Sequence, residues 1–339
     1  MRNTRVLFAK RPVGEPDDEC FRFEQADVPE LAEGQILIKV CWLSLDPYMR
    51  GRMNDVKSYT APMEVGDVMI GESAGIVLQS RSEKFAVGDR VTAHMGWQTL
   101  IVANDDEPRL MKVDLANGSL SAHLGVVGMP GRTAYFGLTE VGKPKAGETL
   151  VVAAASGAVG SVVGQLAKIK GLRVVGIAGG PKKCRYVKEE LHFDACVDYK
   201  AGNLDADLAA ACPDGIDVYF ENVGGTVTRA VAPLLNPGAR VPICGYISQY
   251  NSDDISKAET PFDILKDLDP LPEHRFFVVT EWMDRWVEAT RLLGGWVQEG
   301  RIKFRESIGE GLENAPEYFR GMLKGKNFGK QLIKIADED

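Results

Sequence analysis

The feature that most constrains the fold is a regular alternation of apolar and amphipathic stretches that begins near residue 149. The apolar runs are residues 150–155, 173–177, 195–197, 216–220 and 239–244, and the helix-like stretches between them are residues 160–169, 181–191, 205–211 and 226–235. Short apolar runs that alternate with helices form βαβ units, in which the strands are parallel and buried on both faces. We therefore predict a doubly wound parallel sheet of the α/β class for this part of the chain.

The first 129 residues show a different pattern. Their apolar runs are short and broken by Gly and Pro, at residues 6–9, 35–43, 75–79, 90–93 and 99–102. This pattern is typical of a β-rich domain. A chain of 339 residues exceeds what one hydrophobic core usually serves, so we expect two domains. Residues 249–272 are rich in Asp, Ser and Pro, and we interpret them as a long surface loop that contributes to a binding site.

A glycine-containing segment joins the first apolar run of the parallel sheet to its first helix. Residues 155–160, with the sequence ASGAVG, match GxGxxG with alanine at the first glycine. In this motif Gly157 would let the backbone approach a pyrophosphate, Gly160 would let helix and strand pack closely, and the helix N-terminus would attract the phosphates. Because strand, spacing and helix are all in place, we predict dinucleotide binding here. A tight structural turn is the alternative.

The residues after this helix indicate which dinucleotide is bound. NAD-binding units usually place Asp or Glu about 20 residues beyond the glycines, where the carboxylate accepts hydrogen bonds from the ribose hydroxyls. Here residues 157–188 contain no Asp or Glu, and the second apolar run ends in two glycines followed by Lys182, Lys183 and Arg185. A carboxylate would repel a 2′-phosphate, whereas a lysine pairs with it. We therefore predict NADP(H) as the cofactor, with a solvated basic helix start as the alternative.

Composition argues against several other classes of protein. The net charge of -8 disfavours a protein whose whole surface binds nucleic acid. No apolar run is long enough for a signal peptide or a membrane span, so we expect a soluble protein with no membrane partner. The six cysteines are scattered, with no CxxC pair. This spacing suggests a reducing compartment, the cytoplasm, and neither a disulfide framework nor a structural zinc site.

The residues also favour chemistry without a metal. Zinc alcohol dehydrogenases need Cys, His and Asp or Glu ligands that converge in the N-terminal domain. Here His94 and His123 are the only histidines of that domain, and their spacing to Cys41 supports no site. No GxSxG segment argues for covalent hydrolysis, so hydride transfer remains. It suits an α,β-unsaturated carbonyl, because hydride addition to the β-carbon gives an enolate that a tyrosine hydroxyl can stabilise.

Five separated segments carry a family resemblance that covers nearly the whole chain. They are LDPYMRGRM (residues 45–53), AASGAVGS (154–161), YFENVGG (219–225), CGYISQYN (244–251) and GKNFGK (325–330). The sequence resembles the leukotriene B4 dehydrogenase/prostaglandin reductase branch of the zinc-free medium-chain reductases, a branch that includes bacterial curcumin reductase and plant alkenal double-bond reductases. Five motifs in the right order are far more specific than any one of them.

The resemblance implies a domain organisation and an activity. Residues 1–129 would form a GroES-like catalytic domain, residues 130–303 a Rossmann NADP-binding domain, and residues 304–339 a C-terminal segment that returns to the catalytic domain, with the active site in the cleft between the domains. Members of the family form dimers, so we expect a homodimer. The expected activity is NADPH-dependent reduction of the carbon–carbon double bond of α,β-unsaturated ketones and aldehydes. A quinone reductase on the same fold and a non-catalytic NADPH-binding protein are the alternatives.

The same resemblance assigns cofactor contacts. Lys183 and Tyr199 would hold the adenosine 2′-phosphate, and Asn327 would reach the cofactor from the C-terminal segment. The other contacts would come from the glycine-containing loop (Ser156, Gly157, Ala158, Val159 and Gly160), from Asn222, from the loop after the last apolar run (Cys244, Gly245, Tyr246, Ile247, Ser248 and Tyr250), and from Phe276, Phe277 and Val278 beside the nicotinamide. On the sequence alone, Asn222 is a turn residue and residues 276–278 are a buried strand.

Two tyrosines are the candidate catalytic residues. Tyr250 matches the family's tyrosine in a Ser-Gln-Tyr-Asn loop and would stabilise the enolate or relay the proton; a packed loop aromatic is its alternative. Tyr59 resembles a residue that lines the substrate cleft in related enzymes. Trp282 and Trp286 have helical spacing, which favours core or dimer packing over ligand stacking.

Overall fold

The computed structural model describes residues 1–55, 61–254 and 257–339. The chain divides into two compact units: the first is Met1–Gly125, Glu306–Asn327 and Gln331–Asp339, and the second is Val126–Arg305 and Phe328–Lys330. Within the described ranges, no helix is both long enough and apolar enough to cross a membrane.

The strands and helices follow one another from a β-rich part into an alternating part. In chain order they are β1 (Arg2–Phe8), β2 (Phe21–Asp27), β3 (Gln35–Ser44), α1 (Tyr48–Arg52), β4 (Ser73–Ser80), β5 (Arg90–Ala93), β6 (Leu100–Asn104), β7 (Met111–Lys112), α2 (Met129–Phe136), β8 (Thr149–Ala153), α3 (Gly160–Ile169), β9 (Arg173–Ala178), α4 (Pro181–Glu189), β10 (Ala195–Asp198), α5 (Leu204–Ala211), β11 (Ile216–Phe220), α6 (Thr226–Val231), β12 (Leu235–Ile243), α7 (Pro261–Leu265), β13 (Glu273–Phe276), α8 (Trp286–Gln298), β14 (Glu306–Glu310), α9 (Ala315–Leu323) and β15 (Lys330–Lys334).

The first unit is organised around β3, the longest of the strands given above. Its sheet has the order β14-β15-β3-β4-β5-β7, and β6 also pairs with β3. The partners of β3 run antiparallel to it, with Ile333 opposite Leu43, Ile38 opposite Val77 and Leu37 opposite Val102. A strand from the end of the chain therefore pairs with a strand from its beginning. A separate antiparallel pair is formed by β1 and β2.

An aromatic cluster fills one core of this unit. The fully buried Trp97 stacks on Phe21, with ring centroids 5.7 Å apart, and meets the edge of Phe319 from α9, also at 5.7 Å. Rings in these two arrangements add to the free energy gained by burial alone. Beside this core the buried Arg50 donates to the carbonyl of Gly14 at 2.6 Å, so its guanidinium ties the N-terminal loop to α1.

A half-buried histidine makes the stability of the first unit dependent on pH. The ring Nε2 of His94 lies 2.8 Å from the hydroxyl of Tyr48, and burial, with a smaller effect from the Arg109 charge, lowers the pKa of His94 to about 4. Because the unfolded value is near 6.5, the folded state takes up the proton less readily than the unfolded state. The stability contributed by neutral His94 is present above pH 6.5 and is lost as the pH falls towards 4.

We expect the free energy of unfolding to fall by about 2 kcal/mol from this residue between pH 7 and pH 4.5, a value reduced from the full shift because the ring is partly exposed. Urea unfolding of wild type and His94→Gln at both pH values measures the effect as a difference between the two proteins. His192→Gln, at an exposed position, is the control. An equal loss of stability in wild type and His94→Gln would contradict the assignment.

The second unit is a six-stranded parallel sheet with the order β10-β9-β8-β11-β12-β13. In chain order this is 3-2-1-4-5-6, the order of a doubly wound dinucleotide-binding sheet. The central strand β8 is fully buried along its length, because helices cover both faces of such a sheet. The predicted α/β architecture is therefore present, and helix α3 has the predicted bounds of residues 160–169.

Three predicted elements differ from those observed by more than a shift of their bounds. The helix expected over residues 226–235 ends at Val231 and continues as one 3-10 turn, since Pro233 cannot donate a helical hydrogen bond. The loop expected over residues 249–272 contains α7, which has a Thr260–Asp263 capping box and a fully buried Leu265. The helix expected through Trp282 breaks there, with φ -121° and ψ 33°, and only Trp286 lies in α8.

Candidate functional site

The loops that follow β8, β11 and β12 leave the sheet at its carboxyl edge. In the strand order, β8 and β11 are neighbours at the point where the chain reverses its direction of progress across the sheet. Doubly wound sheets bind their ligands in the crevice beyond this switch point. The candidate site of the second unit is therefore formed by residues 154–159, 221–225 and 244–250.

The glycine-containing loop has one open face and one packed face. The amide of Gly157 donates to the carbonyl of Ala154 at 2.8 Å, and a Cβ added at Gly157 would lie 3.1 Å from that carbonyl oxygen, with no atoms of residues other than Ala154 among its contacts within 4 Å. A Cβ at Gly160 would lie 2.4 Å from the same carbonyl oxygen, so this glycine is required where α3 begins. The loop is thus open to a ligand at Gly157 and closed at Gly160. Ser156 is buried beneath it, and Ala158 and Val159 are half-buried.

A segment from the end of the chain pairs with this loop. Gly329 forms a parallel bridge with Gly157, and its amide donates to the carbonyl of Ser156 at 3.1 Å. The neighbouring Phe328 packs edge-on against Tyr186 of α4 at 4.9 Å and lies beneath the guanidinium of Arg305 at 4.3 Å. The sequence analysis singled out the GKNFGK segment that contains both residues, but it did not predict these contacts of Phe328 and Gly329. The predicted contact residue Asn327 is the last residue of the Glu306–Asn327 segment, which belongs to the first unit.

Positive charge collects where β9 and β10 end. Lys183 lies in the first turn of α4, and burial together with the charge of Lys200 lowers its pKa. The ammonium of Lys200 lies 5.7 Å from the ring centroid of Tyr199. A Cβ at Gly179 would come within 2.8 Å of the Tyr199 ring and 3.0 Å of the Lys200 side chain. The Lys183 cluster, meaning Lys183, Tyr199 and Lys200, thus takes the position at the end of β9 where NAD-binding units carry an acid.

An acid beside this cluster in the sequence, Asp198, has a structural role. Asp198 accepts the backbone amide of Gly180 at 2.8 Å and that of Lys200 at 3.0 Å through the same carboxylate oxygen. These bonds hold the loop after β10 against the loop after β9. Neither Asp198 nor Lys200 was singled out from the sequence, although both flank Tyr199 directly.

A buried carboxylate holds the loop after β11. Glu221 is fully buried, accepts the amides of Val223 at 2.7 Å and Gly224 at 2.9 Å, and accepts the hydroxyl of Thr228. Burial nevertheless raises the pKa of Glu221 above its usual 4.5, because its hydrogen bonds do not fully replace hydration. The next residue, Asn222, donates from its side-chain amide to the carbonyl of Ala153 at 2.8 Å. Asn222 therefore links the carboxyl ends of β11 and β8.

Because the folded state raises the pKa of Glu221, its contribution to stability is largest at low pH and declines as the pH rises from 4.5 through the folded-state value. Glu221→Gln keeps an oxygen for the two amides and removes the charge. We expect the variant to gain stability relative to wild type as the pH rises from 4.5 to 8, measured by denaturant unfolding. The same change at the exposed Glu189 should show no such trend. If the free energies of unfolding of Glu221→Gln and wild type differ by the same amount at every pH in this range, a buried charge on Glu221 does not lower the stability of the wild type.

The loop after β12 is fastened to the loop after β11. The amides of Cys244, Ile247 and Ser248 donate to the carbonyls of residues 221, 222 and 223 at 2.9, 3.1 and 2.9 Å. Within the loop, the hydroxyl oxygen of Tyr250 accepts the amide of Tyr246 at 3.4 Å. A Cβ at Gly245 would lie 2.7 Å from that hydroxyl oxygen. Gly245 therefore leaves the space in which the Tyr250 hydroxyl is held.

Comparisons with known proteins match both halves of the chain. Family models described as the N-terminal domain of oxidoreductase and as zinc-binding dehydrogenase match residues 4–113 and 158–267. The chain is 47% identical over 341 residues to the NADPH-dependent curcumin reductase of Escherichia coli K12, covering 100% of this chain and 98% of that protein. It is 39% identical over 330 residues to prostaglandin reductase 1 of Bos taurus, covering 96% and 97%. The chain belongs to the curcumin reductase/prostaglandin reductase branch of the zinc-free medium-chain reductases.

A solved structure agrees with this assignment. CurA from Vibrio vulnificus in complex with NADPH is 45% identical, covers 98% of this chain with 99% of its own, and superimposes with a TM-score of 0.92. The family and the fold class predicted from the sequence are therefore confirmed: this reductase combines a GroES-like β-rich domain with a Rossmann sheet.

The three residues predicted to lie beside the nicotinamide, residues 276–278 at the end of β13, differ in how far they are buried. Phe277 is only 2% exposed and packs against Phe220 at 6.0 Å and Trp282 at 6.1 Å, so its ring belongs to the core. Phe276, at the end of β13, and Val278 are half-buried. Tyr59 lies outside the described residues.

The residues weighed as metal ligands in the reductase have other partners. The thiol of Cys41 lies 3.4 Å from the carbonyl of Asp337, His94 pairs with Tyr48, and the Nε2 of His123 lies 3.2 Å from the carbonyl of Asp114. Across residues 1–55, 61–254 and 257–339, no three His, Cys, Asp or Glu side chains come together as a possible metal site.

Proposed function

We propose that the protein reduces the carbon–carbon double bond of α,β-unsaturated ketones and aldehydes with NADPH as the reductant. The observation that carries the proposal is the 47% identity over the full length to a protein named NADPH-dependent curcumin reductase. Relatives named prostaglandin reductase 1 support the same class of substrate. From both names we infer a substrate whose carbon–carbon double bond is conjugated to a carbonyl group.

The cofactor fits the loop geometry at two positions. The open face at Gly157, where an added Cβ would meet only Ala154, leaves room for a pyrophosphate against the first turn of α3, where backbone amides and the helix dipole favour anions. We propose that residues 156–160 hold the pyrophosphate. Asn222, residues 244–248, Phe276 and Val278 would hold the nicotinamide half, with Phe277 contributing through its backbone because its ring lies in the core. Asn327 would contact the cofactor from the C-terminal segment.

The Lys183 cluster fits a 2′-phosphate. Two lysines lie close enough for the charge of Lys200 to lower the pKa of Lys183. A phosphate dianion placed between them would remove this repulsion and gain charge-assisted hydrogen bonds. We propose that Lys183 and Tyr199 contact the 2′-phosphate and that Lys200 adds the second positive charge. This arrangement favours NADPH over NADH.

Tyr250 is the proposed catalytic residue. When bound, NADPH supplies a hydride for the β-carbon of the substrate. Tyr250 then donates its O–H to the carbonyl oxygen as negative charge develops there, which stabilises the enolate. The Tyr246 amide, which donates to the Tyr250 oxygen, fixes the position of the hydroxyl and makes its proton a better donor. On the family resemblance, Tyr59 is a second residue proposed to contact the substrate.

We further propose the organisation expected from the family. Residues 1–129 and 304–339 would form the catalytic domain and residues 130–303 the nucleotide-binding domain. Two copies would pair as a homodimer, and the enzyme would work in the cytoplasm, where its six free cysteines stay reduced.

The test is NADPH oxidation with trans-2-nonenal, 3-nonen-2-one and a simple quinone offered separately, each repeated with NADH, followed by identification of the products. We expect the saturated aldehyde or ketone, with NADPH preferred. Reduction of the carbonyl group to an alcohol, or faster turnover of the quinone than of either alkene, would overturn the proposal.

A further inference from the structure

Two cysteines of the second unit lie on surfaces that face each other. Cys196 of β10 stands directly opposite Gly176 of β9 in the parallel register, and paired residues of neighbouring strands project to the same face of a sheet. A Cβ at Gly176 would lie 2.9 Å from Val187 of α4. The side chain of Cys196 therefore points towards α4. Cys184 is three residues before Val187 on that helix, hence on the same helical face.

The two thiols lie close together at this junction. The thiol of Cys184 lies 3.9 Å from the carbonyl of Ala178 at the end of β9, and Cys184 and Cys196 are near enough for each thiol to shift the pKa of the other. Cys184 is buried, with 9% exposure, and Cys196 is half-buried. A small oxidant can reach such a pair more easily than a bulky one.

The two thiols differ in reactivity from the other four. The hydrogen bond from Cys196, helped by the charge of Lys188, lowers the pKa of Cys184 against the opposing effects of burial and Asp198, while the pKa of Cys196 is raised. Burial raises the pKa of Cys20, Cys41 and Cys212 to about 11 and that of Cys244 to about 12. Thiolates, not thiols, are the nucleophiles, and a helix N-terminus favours the thiolate. Cys184 is therefore the expected site of attack.

We propose that Cys184 and Cys196 form a peroxide-sensitive thiol pair whose disulfide weakens the binding of NADPH. The thiolate of Cys184 attacks one oxygen of hydrogen peroxide, the O–O bond breaks, and the departing hydroxide takes a proton to become water, which leaves a sulfenic acid. The sulfur of Cys196 then attacks that sulfur, the S–O bond breaks, and a second water departs with the thiol proton. Two thiols and one peroxide give one disulfide and two waters.

The effect on NADPH rests on the proposed function. Lys183 directly precedes Cys184, and Tyr199 follows Cys196 by three residues. A disulfide holds its two Cβ atoms about 3.8 Å apart and so ties the first turn of α4 covalently to β10. The Lys183 cluster is built on these two elements. We expect oxidation to weaken NADPH binding about tenfold and to change NADH binding much less, because NADH lacks the 2′-phosphate.

The experiment treats the intact protein with hydrogen peroxide and measures three quantities: the loss of two hydrogen atoms by intact mass, the linked peptide by digestion without reductant, and the Kd for NADPH and NADH by nicotinamide fluorescence. Dithiothreitol should restore the original Kd. Cys184→Ser and Cys196→Ser should each lose the linked peptide and the change in Kd. Cys212→Ser, which removes another buried cysteine of the same unit, should keep both.

The outcomes separate the two proposals. Absence of the linked peptide, or its formation with an unchanged Kd for NADPH, overturns the thiol-pair proposal alone. Untreated protein that binds NADPH no more tightly than NADH overturns the proposed phosphate site, whether or not the disulfide forms.

Discussion

Tyr250→Phe should lower kcat for enone reduction by about 100-fold to 1,000-fold, the cost of removing one hydrogen-bond donor from a developing oxyanion. The Kd for NADPH should stay unchanged, because the ring remains and only the hydroxyl is lost. The edge-to-face packing of Tyr250 on Tyr246, at 5.6 Å, should hold the phenylalanine in place. Steady-state kinetics with 3-nonen-2-one and a fluorescence titration with NADPH measure the two quantities.

Two further variants sharpen this test. Tyr246→Phe removes the neighbouring hydroxyl and leaves both the ring and the backbone amide that bonds to Tyr250, so kcat should change by less than about threefold. Gly245→Ala adds a Cβ where the Tyr250 hydroxyl oxygen would be only 2.7 Å away, so it should displace that hydroxyl and lower kcat as Tyr250→Phe does. If Tyr250→Phe keeps kcat within about threefold of wild type, Tyr250 is not the donor.

Lys183→Glu should lower kcat/KM for NADPH by about 100-fold. Loss of a charge-assisted hydrogen bond costs about 1.5–3 kcal/mol, and the new carboxylate repels the phosphate in addition. The kcat/KM for NADH should stay the same or rise, because NADH has no 2′-phosphate and its ribose hydroxyls can donate to a carboxylate. Kinetics with each nucleotide at a fixed enone concentration give the ratio of the two kcat/KM values directly.

The matched control for this change is Lys182→Glu. Lys182 precedes Lys183 in α4 and is exposed. Its substitution by Glu alters the net charge by the same amount as Lys183→Glu. Lys182→Glu should leave the ratio of kcat/KM for NADPH to kcat/KM for NADH near the wild-type value. An equal loss in both variants would mean that the general charge of the surface, rather than the Lys183 cluster, selects the cofactor.

The sequence predicted best those parts of the fold that depend on neighbours in the chain. Buried parallel strands appear as continuous apolar runs, so β11 matched its predicted bounds of residues 216–220 and α3 those of residues 160–169. The break at Trp282 and the helix α7 were missed. Trp282 stacks on Phe136 at 5.3 Å, and this distant contact outweighs the local helical spacing.

The same reasoning explains what could be predicted of the candidate site. The glycines and the missing acid could be recognised from the sequence as a local pattern. The glycines act through their own backbone, and the lack of a carboxylate at the end of β9 can be read directly from the residues there. Glu221 was not singled out, since its role depends on burial and on the loop amides that it accepts. Lys200 was missed because its proximity to Lys183 arises from the packing of α4 on β10, which spacing along the chain does not reveal.

Because of the bridge between Gly157 and Gly329, one part of the second unit can fold only late during synthesis. The glycine-containing loop is synthesised roughly 170 residues before Gly329, and domains generally fold as they emerge. The six-stranded sheet can therefore assemble early, but its nucleotide loop stays without its partner until residues 328–330 leave the exit tunnel. The sheet of the first unit waits in the same way for β15 to join β3. A nascent chain that stalls before residue 328 would have the six-stranded sheet without the partner of its nucleotide loop, and the sheet of the first unit without β15.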